Sequence, residues 1–229
     1  MNKKKVLLSA VALLLVCALS VAGTLALLKL QAPEPVTNTF IAAGGGKLAN
    51  SMALSEHLVA PNANGDYQYA KSTNDGTVLV NNSSEASYTN NNEYTVMPCM
   101  NVPKDPMIEI YDKTDAPAYL ILEVISDLPD GYFTLESCWH VVKDQNDAHA
   151  TGIHGGKLYC HNGTVNTATG NLNYNIIAGK EVTIPDGDTL VLPDNAKLEF
   201  YAYLAQANAG STDHPLDAYF ACFDQPANP

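Results

Sequence analysis

The sequence predicts an all-β chain folded as an antiparallel sandwich, and three observations carry that prediction. From Glu93 onward, short β-rich runs follow one another at close intervals. The gaps between them hold turn dipeptides such as Asp130-Gly131 and Asn162-Gly163, and regular strand–turn spacing of this kind marks a sandwich. Two of the runs also alternate with a period of two, which gives a strand one inward and one outward face.

The elements are expected in the following order. Lys3, Lys4 and Lys5 precede an apolar run from Val6 to Leu28 that ends in the small residues Ala22-Gly23-Thr24-Leu25-Ala26. This reads as an export signal helix over 1–26, cut after Ala26 with Gly23 as the alternative position. An uncleaved membrane anchor is the competing reading, since about 20 apolar residues can span a bilayer. Either way the rest of the chain lies outside the cell.

Residues 27–45 follow as an extended segment or linker. Pro33 and Pro35 interrupt it, so it cannot sit in the middle of a sheet. Gly44-Gly45-Gly46 reads as a hinge. Residues 46–229 form one domain, in which about 60–92 is read as an Asn-rich loop insertion, because Asn62, Asn64-Gly65, Asn74-Asp75-Gly76 and Asn90-Asn91-Asn92 are turn chemistry. Thr77-Val78-Leu79-Val80 is the one short strand expected there.

The runs from Glu93 on are Glu93 to Met97, Pro106 to Tyr111, Ala118 to Ile125, Tyr132 to Leu135, Cys138 to Lys143, Lys157 to Cys160, Leu172 to Ile177, Glu181 to Ile184, Thr189 to Leu192 and Lys197 to Ala205. Two of them form the core. One lines up Ala118, Leu120, Leu122 and Val124 on a single face, and the other Leu198, Phe200, Ala202 and Leu204. Pro215 to Phe223 is the one expected helix outside the signal. Pro215 suits its first turn, and Leu216, Tyr219, Phe220 and Phe223 share a face.

Charge narrows the function. The chain has 24 Asp and Glu against 12 Lys and no Arg, for a net charge of −12. Loss of residues 1–26 removes three of those Lys and no acid, leaving nine against 24, or −15. Nucleic acid is excluded as a partner, because phosphate neutralisation supplies most of that affinity. Cys17 leaves with the signal. Cys99, Cys138, Cys160 and Cys222 remain and allow three pairings; Cys138 with Cys160 is the first choice, since they flank one polar loop, unless an anaerobic host keeps them reduced.

No catalytic motif is read. Glu56-His57 reverses the order of a His-Glu-x-x-His zinc helix and lacks its second His. His149, His154, Cys160 and His161 lie close in sequence, but their spacing fits no zinc pattern, and Gly152, Gly155 and Gly156 suggest a mobile loop. Asp144, Asn146 and Asp147, and separately Asp186, Asp188 and Asp194, could supply oxygen to calcium but read first as turn residues. There is no Gly-x-Ser-x-Gly elbow and no phosphate loop. Trp139 reads first as core and second as a carbohydrate-stacking ring. No cofactor is expected.

The order of several strings resembles a known family. Gly23-Thr24-Leu25-Ala26, Thr37-Asn38-Thr39-Phe40-Ile41, Gly46-Lys47-Leu48, Tyr94-Thr95-Val96-Met97-Pro98, Lys104-Asp105-Pro106-Met107-Ile108 and Ala202-Tyr203-Leu204-Ala205-Gln206-Ala207 together resemble the TasA and camelysin group, whose signals are handled by a SipW-type peptidase. Cys99 stands where that pattern has Gly. The resemblance implies a jelly-roll-like sandwich secreted into the biofilm matrix of a Gram-positive bacterium. It also implies fibres in which the N-terminal segment completes a neighbour's sheet, with Leu27, Leu28, Leu30, Val36 and Phe40 as the donor residues.

The sequence therefore leads to a secreted, non-enzymatic structural protein. Its expected partners are further copies of itself, as a homo-oligomer or fibre, and other matrix or cell-wall components, with membrane contact only through the signal segment. A monomeric surface module for glycan or host protein is the alternative, and a secreted metalloprotease the third reading.

Overall fold

The structure is a computed structural model that describes residues 28–30, 41–42, 52–80, 86–89, 92–96, 99–110, 117–165, 172–186, 196–207 and 214–223, with backbone alone at 28–30, 41–42, 95 and 96. The fold is all-β and sandwich-like, with one short helix. The signal segment with its cleavage position Ala26, the glycine hinge, Thr189 to Leu192, and Leu27, Val36 and Phe40 lie outside the described residues.

Sixteen strands are described. The N-terminal segment contributes β1 (Leu28–Leu30) and β2 (Ile41–Ala42). The first half of the domain adds β3 (Met52–His57), β4 (Val59–Pro61), β5 (Tyr67–Ser72), β6 (Val78–Val80), β7 (Tyr88–Thr89) and β8 (Tyr94–Val96). Then come β9 (Asn101–Pro103), β10 (Met107–Ile110), β11 (Ala118–Ser126), β12 (Trp139–Val141), β13 (Lys157–Val165), β14 (Leu172–Asn175), β15 (Glu181–Thr183) and β16 (Leu198–Gln206), followed by helix α1 (Pro215–Phe223).

Two sheets form the sandwich. One has the order β12-β13-β11-β16-β2, the other β14-β10-β3-β7. All pairings are antiparallel except β16 with β2. The inter-sheet core joins Met52, Leu54, Ile108 and Ile110 of one sheet to Leu120, Leu122, Val124, Leu198, Phe200 and Leu204 of the other. Each large side chain buried here stabilises the fold by about 1.5 to 3 kcal/mol. Both alternating faces read from the sequence lie in this core.

The outer face of the five-stranded sheet is buried as well. Tyr119, Ile121, Leu158, Tyr203 and Ala205 form a second cluster under Ala218 and Tyr219 of α1, with Leu216, Phe220 and Phe223 packed against it. The helix has the bounds and the apolar face expected of it. Its burial explains why β11 and β16 are closed on both sides.

Three expectations need correction. Residues 60–92 are not a plain loop: besides the expected short strand, β6, they carry β5 and β7, and β4-β5-β6 form a small sheet of their own. Tyr132 to Leu135 is no ladder strand. It makes separate backbone bonds instead, with Tyr132 O accepting from Thr183 N and Thr134 O from Ala178 N, both at 2.8 Å, and one bridge from Leu135 to Ile177. The β13 run extends to Val165 rather than stopping at Cys160. The register against β11 shifts between Tyr119 and Ile121, and Gly163 takes a φ of +70° in the irregular stretch, where a side chain would be strained.

Candidate functional site: the edges that receive the N-terminal arm

The residues before Met52 touch the domain at two described places. Strand β1 lies antiparallel to β8, with Leu28 opposite Val96 and Leu30 opposite Tyr94. Among the described residues this is the only strand pairing β8 has. Strand β2 lies parallel to β16, with Ile41 opposite Tyr203 and Ala42 opposite Leu204. β11 pairs all nine residues of β16 along its inner edge, whereas β2 covers only two along the outer one. Both receiving strands thus have backbone groups that the arm, and not the domain, pairs.

A buried charge cluster holds the receiving strand β8 in place. Lys104 and Glu56 are 4% and 3% exposed. Lys104 Nζ donates to Glu56 Oε1 at 2.9 Å and sits 2.7 Å from Oε2 as an ion pair, the second contact falling outside hydrogen-bond geometry. The same ammonium stands 5.7 Å from the centre of the Tyr94 ring, and the Tyr94 phenol donates to Pro103 O at 2.8 Å. Burial first, then the Glu56 and Asp105 charges, push the Tyr94 phenol well above its ordinary range. It therefore stays a neutral donor at any physiological pH.

Asp105 fixes the end of β3. Its carboxylate accepts from the backbone N–H of His57 at 3.0 Å and from the ring Nδ1 at 2.6 Å. The His57 ring lies stacked on Tyr88 at 4.5 Å and edge-on to Tyr69 at 5.5 Å. Burial, followed by the Asp105 carboxylate, raises the Tyr69 phenol to about 12. Asn92 closes the cluster, accepting from Val59 N and donating to His57 O. Glu56 and His57, weighed as zinc ligands in sequence, are each engaged here by another partner.

A second polar cluster lies on the opposite face of the five-stranded sheet. Glu123, fully buried in β11, accepts from His154 N at 2.9 Å, Gly156 N at 2.8 Å and the Tyr203 phenol at 2.6 Å. Tyr219 of α1 accepts from Ile153 N at 3.1 Å, so the turn over 152–156 is tied to the sheet and the helix together. Two of its glycines are dictated by contact, since a Cβ on Gly152 would collide with the Glu123 carboxyl group and one on Gly156 would lie 2.7 Å from Glu123 Cγ, while Gly155 takes a φ of +84°. The expectation of a free loop is therefore corrected, although His154 itself is exposed to solvent, as expected. His154 stacks on Tyr201 at 4.1 Å, and His149 Nε2 lies 2.9 Å from Leu158 O.

The remaining sequence-read sites fall apart spatially. Among the described residues no three His, Cys, Asp or Glu side chains come together as ligands. Asp144 makes the turn, accepting from Asn146 N and Ala148 N at 2.8 and 3.0 Å, and Asp147 pairs with Lys143 at 2.6 Å. Asp188 and Asp194 lie outside the described residues. Trp139 is core, its indole N–H donating to Asn175 O at 2.9 Å. The expected Cys138–Cys160 bridge is not made: all four described cysteines are free. The reason is topological, since Cys138 packs against the inter-sheet core and Cys160 belongs to the cluster under α1.

Sequence reasoning missed both polar clusters. Lys104-Asp105 was visible only as part of a family-like string, and Gly152, Gly155 and Gly156 only as flexibility. The signal for the second cluster was a lone Glu in the most apolar strand of the chain. No protein-family model matches the chain, and neither a curated protein nor a solved structure shows significant similarity to it.

Proposed function

We propose that this chain is a secreted structural protein of a Gram-positive cell surface or biofilm matrix, of the TasA and camelysin type, that assembles by lending its N-terminal segment to a neighbouring copy. One observation carries the reading: the described arm strands provide the strand pairing of β8 and the outer-edge pairing of β16. An arm that pairs its own domain pairs a second copy with the same hydrogen bonds, because the receiving edges are identical in every copy. The clusters around Glu56 and Glu123 then serve to fix the receiving strands, and no group in the reading performs chemistry. In that state the segment from Leu27, with Leu28, Leu30, Val36 and Phe40, is the donor.

The chain beginning at Leu27 is expected to form fibres visible by negative-stain microscopy, and deletion of residues 27–40 to abolish them. Fibres that persist after the deletion overturn the proposal. A second reading, a monomeric module for glycan, draws on a groove of about 510 Å³ lined by Phe133, Tyr159, Asp130, Lys157 and Ser126, a size suited to a small ligand. It is favoured if the chain remains a monomer at every concentration and binds oligosaccharide.

A further inference from the structure

We propose that β6 is a separate contact at which two copies of this chain pair edge to edge. The proposal does not rest on the arm. Strand β6 is the outer member of the small β4-β5-β6 sheet, and among the described residues no strand lies on its free side. Its inner side is taken by β5, with Ala70 opposite Val80, Lys71 opposite Leu79 and Ser72 opposite Val78. All three residues are large, apolar and open to solvent, at 46%, 47% and 37% exposure. An edge strand with unpaired N–H and C=O groups and an apolar side on both faces is a template for another strand.

The usual protections of such an edge are missing. From Gly76 to Ser84 the sequence has no charged residue and no proline. That same fact identifies the occupant. The whole chain carries −12, so two copies repel over most of their surfaces. Along β6 itself a like copy meets no charge of its own sign; the acid at the preceding turn, Asp75, is already engaged, accepting from Thr77 N at 3.0 Å. The string Val78-Leu79-Val80 is also its own mirror. Antiparallel pairing about a two-fold axis at Leu79 sets Leu79 against its own copy and Val78 against Val80, which is the self-complementary arrangement a closed dimer requires.

Three residues a side cover far less than the roughly 800 Å² per partner of a standard interface. The contact is therefore weak and concentration-dependent in free copies. It gains strength where copies are held side by side in an array, because the second contact is then intramolecular in effect.

The test is sedimentation velocity on the chain beginning at Leu27 with the β1 pairing of its arm interrupted by L28P and K29P. One of any two successive N–H groups faces the partner strand, so the pair of prolines interrupts the β1 ladder in either register. This chain is expected to pass from monomer to dimer as concentration rises. Adding L79K, which opposes two ammonium groups across the two-fold axis and also faces its own Lys71 across β5, is expected to weaken the dimer about tenfold or more, and V78K, which faces Ser72 and so lacks that repulsion within the chain, to do the same. Amide exchange at Val78–Val80 should slow with concentration in the parent and not in L79K. A parent that stays monomeric, or an L79K chain that dimerises as tightly as the parent, overturns the proposal, whatever else covers the strand. Failure of the arm reading looks different: fibres then survive L28P and K29P, and the exchange of the β6 amides still decides this contact.

Discussion

Glu56 and Glu123 are both buried carboxylates on central strands of the two sheets, yet they are accommodated in different ways. Glu56 sits against a buried ammonium, Lys104. Glu123 is held by two backbone N–H groups and a phenol. The first arrangement depends on two side chains that can be exchanged together. The second depends on main-chain donors that no substitution short of proline removes. An ion pair is thus replaceable as a unit, whereas a carboxylate serving the backbone can be replaced only by another acceptor.

The largest effect is expected from breaking the pair on one side. Lys104→Met leaves Glu56 as an uncompensated buried charge and should destabilise the fold by about 3 to 5 kcal/mol in denaturant unfolding. Combining it with Glu56→Leu should restore most of that loss, so a double-mutant cycle should show strong coupling. If the double variant is as unstable as Lys104→Met alone, the pair is not the separable unit described here.

Next in size is the other carboxylate. Glu123→Leu strands the N–H groups of His154 and Gly156 in the interior, at a cost of about 2 to 3 kcal/mol. Glu123→Gln keeps an acceptor for them and offers its amide to the Tyr203 oxygen, so it should lose only about 1 kcal/mol. The comparison fails if Leu and Gln are equally damaging, since that would locate the effect in charge and not in the backbone donors. Exchange of the 152–156 amides by NMR separates the two outcomes independently of global stability.

This contrast also explains what could be read in the sequence. Strands β11 and β16 and helix α1 were legible because their inward positions are apolar and keep a clean period. Strand β3 was not, although it alternates strictly in burial. Its third inward residue is Glu56, and a charged residue at a core position hides a strand from any apolar count. The partner that makes Glu56 tolerable lies 48 positions away, beyond the reach of local pattern. Glycines misled in a similar way, because Gly152 and Gly156 are small to let a carboxylate approach and not to let a loop move. Of the small sheet β4-β5-β6 only β6 was read as a strand, because the turns are dense in Asn and Gly while the strands bury little.

The smallest effect concerns a residue placed against its backbone preference rather than its polarity. Cys99, where the resembling pattern has Gly, takes a φ of +62° and is exposed. A left-handed conformation costs an L-residue about 1 to 2 kcal/mol, and glycine gives back about 0.4 to 1 kcal/mol through the freer unfolded chain. Cys99→Gly should therefore raise stability by about 0.5 to 1 kcal/mol. The Cys99 thiol is raised by a hydrogen bond to Asp186, and its removal should subtract little, because both groups are at the surface. A loss of stability in Cys99→Gly would mean that the side chain, and not the turn, sets this position, and the backbone argument would then have to yield to the same side-chain pairing that decides Glu56.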